Sequence, residues 1–336
     1  MPVKYLEQIG ETKLKKWLYE EYDLNIESIV PIPKGEIGDN YVVEDINKQK
    51  YFLKIYLQSK LHIDNPNGLK DSLKLTSQLH DAGIENVPYP IKLKNNELEG
   101  KLETYSITVT SYINGCNPVI TSDLKIKFGE ILAKIHQVKT ENINLPIEPF
   151  NATYANKLAE QIKILEQKEN LNKFQLELSD LLLPNQDKLK KHLFQFNELC
   201  ENVKLKNKQL VVTHGDLIPD NLMVNGLGKV FIVDWDTARL SPPERDVWFF
   251  IYNNGQDFIQ TYKAIYPSQD LDIDLLSFYM YKRYIEDLVY WADQILFEDL
   301  NEKQNQSNLK GIKISCLEAF HNIEEKVENM KNLISQ

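Results

Sequence analysis

The spacing of apolar residues changes once along this chain, near residue 114, and that change limits the folds it can adopt. Before it, short alternating runs separated by polar turns are typical of antiparallel strands. After it, most apolar residues recur at the three-to-four-residue spacing of helices. The 336 residues are enough to bury two cores. The sequence therefore predicts an α+β protein with a β-rich N-terminal lobe, residues 1–113, and a mainly helical C-terminal lobe, residues 114–336.

Individual segments follow from the same pattern. The expected strands are 28–33, 40–44, 50–56, 90–94 and 102–113. The expected helices are 4–23, 69–82 ending at Gly83, 122–137 capped by Thr121 or Ser122, two between 151 and 200 with a break near Pro184, 271–298 and 309–333. Short strands return between 210 and 234, inside the helical part of the chain.

Composition argues against several classes of partner. Lysine and arginine total 39 against 49 acidic residues, and the net charge of −10 disfavours general nucleic-acid binding, which needs a basic surface. The longest apolar run, Val247 to Tyr252, is far shorter than the ~20 residues that span a bilayer, so no membrane partner is expected. Three cysteines without metal-ligand or disulfide spacing indicate a reducing cytoplasm. We expect a monomer or a homodimer.

The residues that carry chemistry are concentrated in the segment 211–236. An apolar strand leads into a His-Gly-Asp loop that ends at Asp216, and Asn221 follows five residues later. A second apolar strand leads into Asp234 and Asp236. Each of these residues alone is a common turn former, but together they place polar side chains where neighbouring strands end.

This arrangement suits phosphoryl transfer, which needs a base for a hydroxyl nucleophile and a metal that neutralises phosphate charge. Asp216 is the expected catalytic base. Asn221 and Asp234 offer the hard oxygen atoms that Mg²⁺ prefers, with Asp236 as a further ligand. The order of these residues matches that of a kinase catalytic loop and its metal-binding aspartate.

A nucleotide-binding half is expected upstream of this segment. Lys54 lies among apolar residues in the predicted strand 50–56, where a lysine would contact the α- and β-phosphates. The turn that contains Gly35 and Gly38 would cover the phosphates with backbone N–H groups. It lacks the full Gly-x-Gly-x-x-Gly pattern, so an ordinary hairpin turn is the alternative.

From about residue 28 to about residue 300 the chain resembles the aminoglycoside phosphotransferase and choline kinase family, the small-molecule branch of the protein-kinase-like fold. The resemblance rests on the loop 214–221, on the segment 232–236 and on the Gly-x-x-Leu-Ala-x-x-His pattern within 128–136. Two further segments, 242–246 and 283–288, are most similar to spectinomycin phosphotransferases.

The resemblance implies a bilobal protein-kinase-like fold that binds ATP, with GTP as the alternative donor. The adenine would lie against backbone groups of Ser111, Tyr112 and Ile113. The family glutamate that pairs with the nucleotide lysine has no clear counterpart here, and Asp71 is the nearest carboxylate in the corresponding helix. The family metal loop also usually carries a histidine and a glycine, where this chain has Ile218 and Asp220.

The acceptor is expected to bind in the helical part. At helical spacing Arg283, Glu286, Asp287 and Tyr290 fall near one stripe of the helix 271–298. Carboxylates beside aromatic rings suit a cationic, polyhydroxylated ligand. The alternative is an exposed Arg283–Asp287 pair beside aromatic core residues.

These observations predict an ATP- and Mg²⁺-dependent phosphotransferase that acts on a hydroxyl of a small cationic acceptor, such as an aminoglycoside or aminocyclitol antibiotic. In the resembled family, the added negative charge abolishes ribosome binding and so confers resistance. Two alternatives stay open: a metabolic kinase for choline, ethanolamine, homoserine or a sugar, and a nucleotide-binding pseudokinase.

Overall fold

The computed structural model describes residues 4–32, 38–58, 68–139, 144–167, 170–252, 254–267 and 270–335. The chain divides into two units that are each built from three segments. The first unit comprises Met1–Ile147, Val211–Ser241 and Thr261–Tyr266, and the second comprises Glu148–Leu210, Pro242–Gln260 and Pro267–Gln336. The predicted lobe boundary after residue 113 stays a prediction.

The first unit holds the strands and the N-terminal helices. In chain order its elements are α1 (Lys4–Ile9), α2 (Glu11–Tyr22), β1 (Ile26–Ile32), β2 (Gly38–Asp45), β3 (Lys50–Leu57), α3 (Gly68–Asp81), β4 (Gly100–Leu102), β5 (Tyr105–Ser111), β6 (Gly115–Cys116), α4 (Ser122–His136), β7 (Val211–Thr213), β8 (Leu222–Asn225), β9 (Val230–Ile232) and β10 (Arg239–Ser241). Strands β1 to β5 form one antiparallel sheet in the order β1-β2-β3-β5-β4. Strands β7 and β10 pair with each other, and β6, β8 and β9 form a further small sheet.

Strand β3 lies inside the main sheet and presents two different faces. Leu53 and Ile55 are fully buried in the core that the sheet shares with α1 and α2. Lys54 and Tyr56 point to the opposite face, because side chains alternate along a strand. In the pairing register Lys54 is opposite Asn40 on β2 and Thr108 on β5, so its backbone is held from both sides.

The N-terminal region differs from its prediction as one helix over 4–23. It forms two helices, because Gly10 between them has a φ of 86°, a left-handed backbone conformation that glycine adopts without steric cost. Asp23 ends α2 in the left-handed conformation, and its N–H bonds to the carbonyls of Leu18 and Tyr19. By contrast, the predicted stop of α3 before Gly83 and the cap of α4 by Thr121 are confirmed.

The predicted strand 90–94 is wrong. Pro90 forms only an isolated bridge with Thr110, and proline cannot donate a ladder hydrogen bond. The neighbour of β5 along the sheet edge is instead β4, which begins at Gly100. A glycine is needed there because a Cβ atom would lie 2.5 Å from the Trp17 ring.

The second unit is helical in its described parts. Its helices are α5 (Thr153–Gln167), α6 (Lys173–Leu182), α7 (Gln186–Lys204), α8 (Glu244–Tyr252), α10 (Ile273–Phe297), α11 (Glu302–Gly311), α12 (Glu318–His321) and α13 (Ile323–Ile334), and α9 (Gln256–Ile265) begins in this unit and ends in the first. The long helix α10 contributes many buried side chains to the core. None of the helices in the described ranges is long and apolar enough to cross a membrane.

Two helical predictions in this unit need correction. Residues 151–200 form three helices rather than two: the break at Pro184 is confirmed, and a second break arises where Asn172 caps α6 with a capping box. The predicted helix 309–333 is divided by a π-helical turn, Ile312–Leu317, and again at Asn322.

Glu244, the first residue of α8, is a carboxyl group buried in the second unit. It is 1% exposed, and its Oε1 accepts a hydrogen bond of 2.8 Å from the backbone N–H of Asp272. Burial raises the pKa of Glu244 to about 7, although the hydrogen bond opposes this shift. The folded protein therefore holds this proton more tightly than the unfolded chain does.

We expect Glu244→Gln to change the pH dependence of stability. Between about pH 4.5 and pH 7 the unfolded chain ionises Glu244 first, so the wild-type free energy of unfolding should fall as pH rises, by up to about 3 kcal/mol. Glutamine has no such titration, so the variant should gain stability relative to the wild type over this range. Urea unfolding at several pH values measures the difference.

The matched control is Glu302→Gln, because Glu302 is also the first residue of a helix but is exposed. Its stability relative to the wild type should stay nearly constant over the same range. A constant difference for Glu244→Gln as well would contradict the assignment of a raised pKa to this group.

Candidate active site

The candidate site is built in the first unit, where β7 delivers His214 to a loop. Gly215 has a φ of 89°, a conformation open to glycine, and it turns the chain toward Asp216. Strand β7 pairs with β10 in an antiparallel arrangement. The Thr213 hydroxyl donates to the Arg239 carbonyl at 3.0 Å, so the start of the loop is rigidly held.

His214 links the two polar segments of the site. It is fully buried; its Nδ1 accepts the backbone N–H of Asp216 at 3.2 Å, and its Nε2 bonds to the Val233 carbonyl at 2.8 Å. This pair of bonds requires a neutral imidazole with its proton on Nε2. The Trp235 ring packs against the imidazole in an edge contact of 4.8 Å between centroids. His214 is thus a structural connector between the loop and the segment after β9.

Asn221 fixes the orientation of Asp216. Its Nδ2 donates to the Asp216 carbonyl at 2.7 Å and to the Asp216 Oδ2 at 3.0 Å. The Asn221 carbonyl accepts the Val233 N–H at 2.9 Å. Because both amide hydrogens face Asp216, the Asn221 Oδ1 is the atom left to act as an oxygen ligand.

Asp234 and Asp236 meet Lys54 at the end of β9. The Lys54 Nζ lies 2.8 Å from Asp234 Oδ1 and 2.6 Å from Asp236 Oδ2. Asp234 has a φ of 67°, in the left-handed region, so the chain turns sharply there and both carboxylates face the same ammonium group. Tyr56 completes the group, because its hydroxyl donates to Asp236 Oδ2 at 2.8 Å.

Charge compensation favours the ionised forms of Lys54 and Asp234. Burial alone would lower the pKa of the Lys54 ammonium, but the negative charges of Asp236 and Asp234 outweigh it, and the pKa lies well above its ordinary value. Desolvation likewise opposes ionisation of Asp234, yet the Lys54 charge lowers the pKa of that carboxyl. Lys54 and Asp234 therefore favour each other's charged form.

The matching family model is that of the phosphotransferase enzyme family (APH), and it covers residues 28–275, more than half of the chain. The chain belongs to this phosphotransferase family. It is therefore an enzyme that transfers a phosphoryl group to a small-molecule hydroxyl. The resemblance seen in the sequence is confirmed. Among curated proteins, none matches the chain.

Solved structures of several phosphotransferases share its fold. Spectinomycin phosphotransferase APH(9)-Ia, in complex with ADP and spectinomycin, is 20% identical with a TM-score of 0.79, and the match covers 95% of this chain and 98% of that one. Amicoumacin kinase hAmiN, in complex with AMP-PNP, Ca²⁺ and Ami, is 14% identical with a TM-score of 0.62 over 97% and 96%. An aminoglycoside phosphotransferase from Alicyclobacillus acidocaldarius is 13% identical with a TM-score of 0.61 over 94% of each chain. The predicted kinase-like α+β fold is confirmed.

Among the other residues predicted for the nucleotide end of the phosphotransferase, Gly38 and Asp71 lie in the described part of the chain. Gly35 is outside the described residues, and Gly38 opens β2, where a Cβ atom would lie 2.7 Å from the Ile55 carbonyl oxygen. Asp71 is buried on α3, and its Oδ1 lies 3.8 Å from Lys74 Nζ. In the described chain Lys54 pairs with the two aspartates after β9 and not with Asp71. A role for Asp71 and Gly38 in nucleotide binding stays a prediction.

The segment predicted to face adenine follows the end of β5. The Ser111 N–H donates to the Tyr89 carbonyl at 2.8 Å, and the Ser111 Oγ accepts the Tyr89 N–H at 2.9 Å. The Tyr112 ring lies 5.9 Å from the Lys50 ammonium, and the Ile113 carbonyl accepts the Gly115 N–H at 3.0 Å. The contact of this segment with adenine stays a prediction.

The four predicted acceptor residues all lie on α10, in the second unit. Arg283 Nε is 3.0 Å from Asp287 Oδ2, and Glu286 Oε1 is 3.6 Å from Lys282 Nζ, so each acid has a basic partner on its own helix. Tyr290 is 39% exposed. The stripe therefore exists as predicted, but its negative charge is largely compensated, and its role in acceptor binding stays a prediction.

Sequence reasoning missed Tyr56 as part of the site. The signal was present, because Tyr56 follows Lys54 by two residues in a strand and must share its face. What the sequence did not reveal was that this face meets Asp236.

We expect Lys54→Met to lower stability, because it leaves two neighbouring carboxylates without their buried counter-charge. The cost should be about 1–3 kcal/mol at pH 7, less than for a fully buried pair because Asp234 is half-exposed. Chemical denaturation measures it. The control is Lys191→Met, whose ion pair with Glu324 is exposed on both sides, and it should change stability by less than about 0.5 kcal/mol. Equal effects of the two substitutions would contradict the expected energetics of the buried pair.

Proposed function

We propose that this phosphotransferase uses Mg²⁺ and ATP to phosphorylate a hydroxyl of a small cationic acceptor, such as an aminoglycoside or aminocyclitol antibiotic. One observation carries the proposal: a continuous set of short contacts joins a lysine, an asparagine and three aspartates in one unit. Val233 lies at its centre, since its N–H bonds to Asn221 and its carbonyl to His214.

Lys54 supplies the phosphate-binding charge in this proposal. It lies on the central strand β3, and its ammonium group is positioned beside Asp234. Two of the similar structures named above hold ADP or AMP-PNP, which supports a nucleotide as the donor for this chain. A lysine at such a position stabilises negative charge on the phosphates during transfer.

The oxygen atoms of Asn221 and Asp234 fit a Mg²⁺ ion. Asn221 presents Oδ1 because its Nδ2 is bonded to Asp216, and Asp234 presents a carboxylate that is about half exposed. Carboxylate and amide oxygens are the ligands that Mg²⁺ prefers. These two residues would hold the ion, and the bound ion would neutralise charge on the phosphates.

Asp216 acts as the base that accepts the proton of the acceptor hydroxyl. Its carboxylate is oriented by Asn221, and its backbone N–H is held by His214. A general base must be held within hydrogen-bond reach of the proton that it removes. The hydrogen bonds from Asn221 and to His214 hold Asp216 in one orientation, which supports its role as that base.

The proposed acceptor is recognised on α10 by Arg283, Glu286, Asp287 and Tyr290. The likeness in fold to spectinomycin phosphotransferase supports an aminocyclitol. A cationic acceptor would have to displace or share the basic partners of Glu286 and Asp287. That compensation of charge favours, as the second candidate, a metabolic kinase for a neutral sugar.

A coupled ADP-release assay with Mg·ATP tests the proposal. The panel should contain spectinomycin, several aminoglycosides, choline, ethanolamine, homoserine and simple sugars. Turnover on an aminocyclitol or aminoglycoside alone supports drug phosphorylation, and turnover only on a simple sugar supports the second candidate. Turnover only on choline, ethanolamine or homoserine would indicate a metabolic kinase of another substrate class. ATP binding without turnover on any acceptor would favour a pseudokinase.

We expect Asp216→Asn to reduce turnover on the best acceptor by about 10²–10⁴-fold, because the amide cannot accept the hydroxyl proton. Nucleotide affinity should stay nearly unchanged. The control is Asp220→Asn in the same loop, an exposed carboxylate that should leave turnover within about twofold. Turnover of Asp216→Asn close to that of the wild type would refute the catalytic assignment.

We expect Asp234→Asn to remove the effect of Mg²⁺ on nucleotide binding, because the variant loses a charged metal ligand. Calorimetric titration of ATP with and without Mg²⁺ measures this effect. The wild type should bind ATP more tightly with the metal, and the variant should show at most a small difference. The same Mg²⁺ dependence in both proteins would exclude Asp234 as a ligand.

A further inference from the structure

The proposed function requires that Lys54 be held in one position. In the described structure, the carboxylates that hold it differ from the one that the sequence predicted. A lysine side chain has four rotatable bonds and loses considerable conformational entropy when it is fixed. Protein-kinase-like folds are expected to fix it with a carboxylate from a helix, but Lys54 pairs here with aspartates from the turn after β9. The two aspartates are not equivalent.

Asp236 is the more enclosed of the two partners. Its side chain is 19% exposed, against 47% for Asp234, and its Oδ2 is the closer oxygen to Lys54 Nζ, at 2.6 Å. The same Oδ2 accepts the Tyr56 hydroxyl at 2.8 Å. Two donors therefore converge on one oxygen of Asp236, whereas Asp234 keeps a more accessible carboxylate for a metal ion.

Tyr56 is itself rigidly placed. It is 2% exposed and packs in a small apolar cluster with Leu69, Leu73 and Leu98. It lies on β3 two residues after Lys54, so one strand fixes the spacing between the phenol and the lysine backbone. The Lys54 ammonium also lies 5.1 Å from the centre of the Tyr56 ring, within the range of a cation–π contact.

We propose that Tyr56 is a positioning residue for the nucleotide-binding lysine. Its hydroxyl holds Asp236, and Asp236 holds Lys54 Nζ in the place where the phosphates bind. The Tyr56–Asp236 pair thus takes the place of the helix carboxylate expected in a kinase-like fold. The inference rests on the proposed function, since it assumes that Lys54 contacts nucleotide phosphates.

The test compares ADP with adenosine as ligands of Tyr56→Phe. Phenylalanine keeps the buried ring and removes only the hydroxyl. Because Lys54 would contact phosphates and not the nucleoside, the variant should bind ADP about five- to tenfold more weakly in saturating Mg²⁺ while adenosine affinity is unchanged. The measured quantity is the ratio of the two dissociation constants, obtained by calorimetry or by competition with a fluorescent nucleotide.

Tyr41→Phe is the matched control. Tyr41 is also a fully buried tyrosine of the same sheet, and its hydroxyl donates to the carboxylate Asp39 Oδ2 at 3.2 Å. The substitution therefore removes a comparable hydrogen bond away from Lys54. It should leave the ADP-to-adenosine ratio at the wild-type value even if it lowers thermal stability.

A second variant tests the route through Asp236. Asp236→Glu keeps the charge but moves the carboxylate by one methylene, so it should raise the ratio of the ADP dissociation constant to the adenosine dissociation constant, as Tyr56→Phe does. If the tyrosine acts through Asp236, the double variant should lose no more than the larger single effect. Should Tyr56→Phe fail to fold, Asp236→Glu alone decides, and an unchanged ratio overturns the inference.

The outcomes separate this inference from the proposed function. A wild-type preference for ADP that Tyr56→Phe leaves intact, or additive effects in the double variant, overturns the positioning role and leaves the proposed function standing. A wild type that binds ADP no better than adenosine overturns the placement of phosphates at Lys54, and the inference falls with it. Equal weakening of both ligands by Tyr56→Phe indicates a merely structural role and also overturns the inference.

Discussion

The pairing of Lys54 with Asp234 and Asp236 is the interaction on which the candidate site depends. An ammonium group on the inner strand of a sheet is costly to bury unless opposite charges meet it. The two aspartates meet that need, and in doing so they tie β3 to the turn that follows β9. The same turn is joined to the His214 loop through Val233. The need to neutralise the buried ammonium group therefore helps to bring together the segments of the first unit that form the candidate site.

The parts that could be predicted from sequence are those whose cause is local. Asp216 and Asn221 are five residues apart, and the hydrogen bonds between them follow from that short loop. The stop at Gly83 and the cap at Thr121 likewise depend on single residues and their neighbours. The α+β class followed from a change of apolar spacing that extends over the whole chain.

The parts that could not be predicted depend on long-range packing. The sequence indicated that Lys54 needs a carboxylate partner. Which carboxylate pairs with Lys54 depends on how α3 and the turn after β9 pack. Asp71 on α3 pairs with Lys74 instead. Tyr56 was overlooked for the same reason. The strand predicted at 90–94 failed although its sequence pattern is that of a strand. Pro90 has no N–H to donate to the sheet, and β4 occupies the edge position beside β5.

The order of these segments along the chain has a consequence for synthesis. Lys54 leaves the ribosome 182 residues before Asp236, and residues 148–210 of the second unit are made between them. The early sheet must therefore emerge with its lysine still hydrated and its inner face incomplete. Contacts of such high sequence separation form late, after a long loop has been closed. The site can therefore be completed only after Asp236 has been synthesised, and a ligand bound there would stabilise only chains that have completed it.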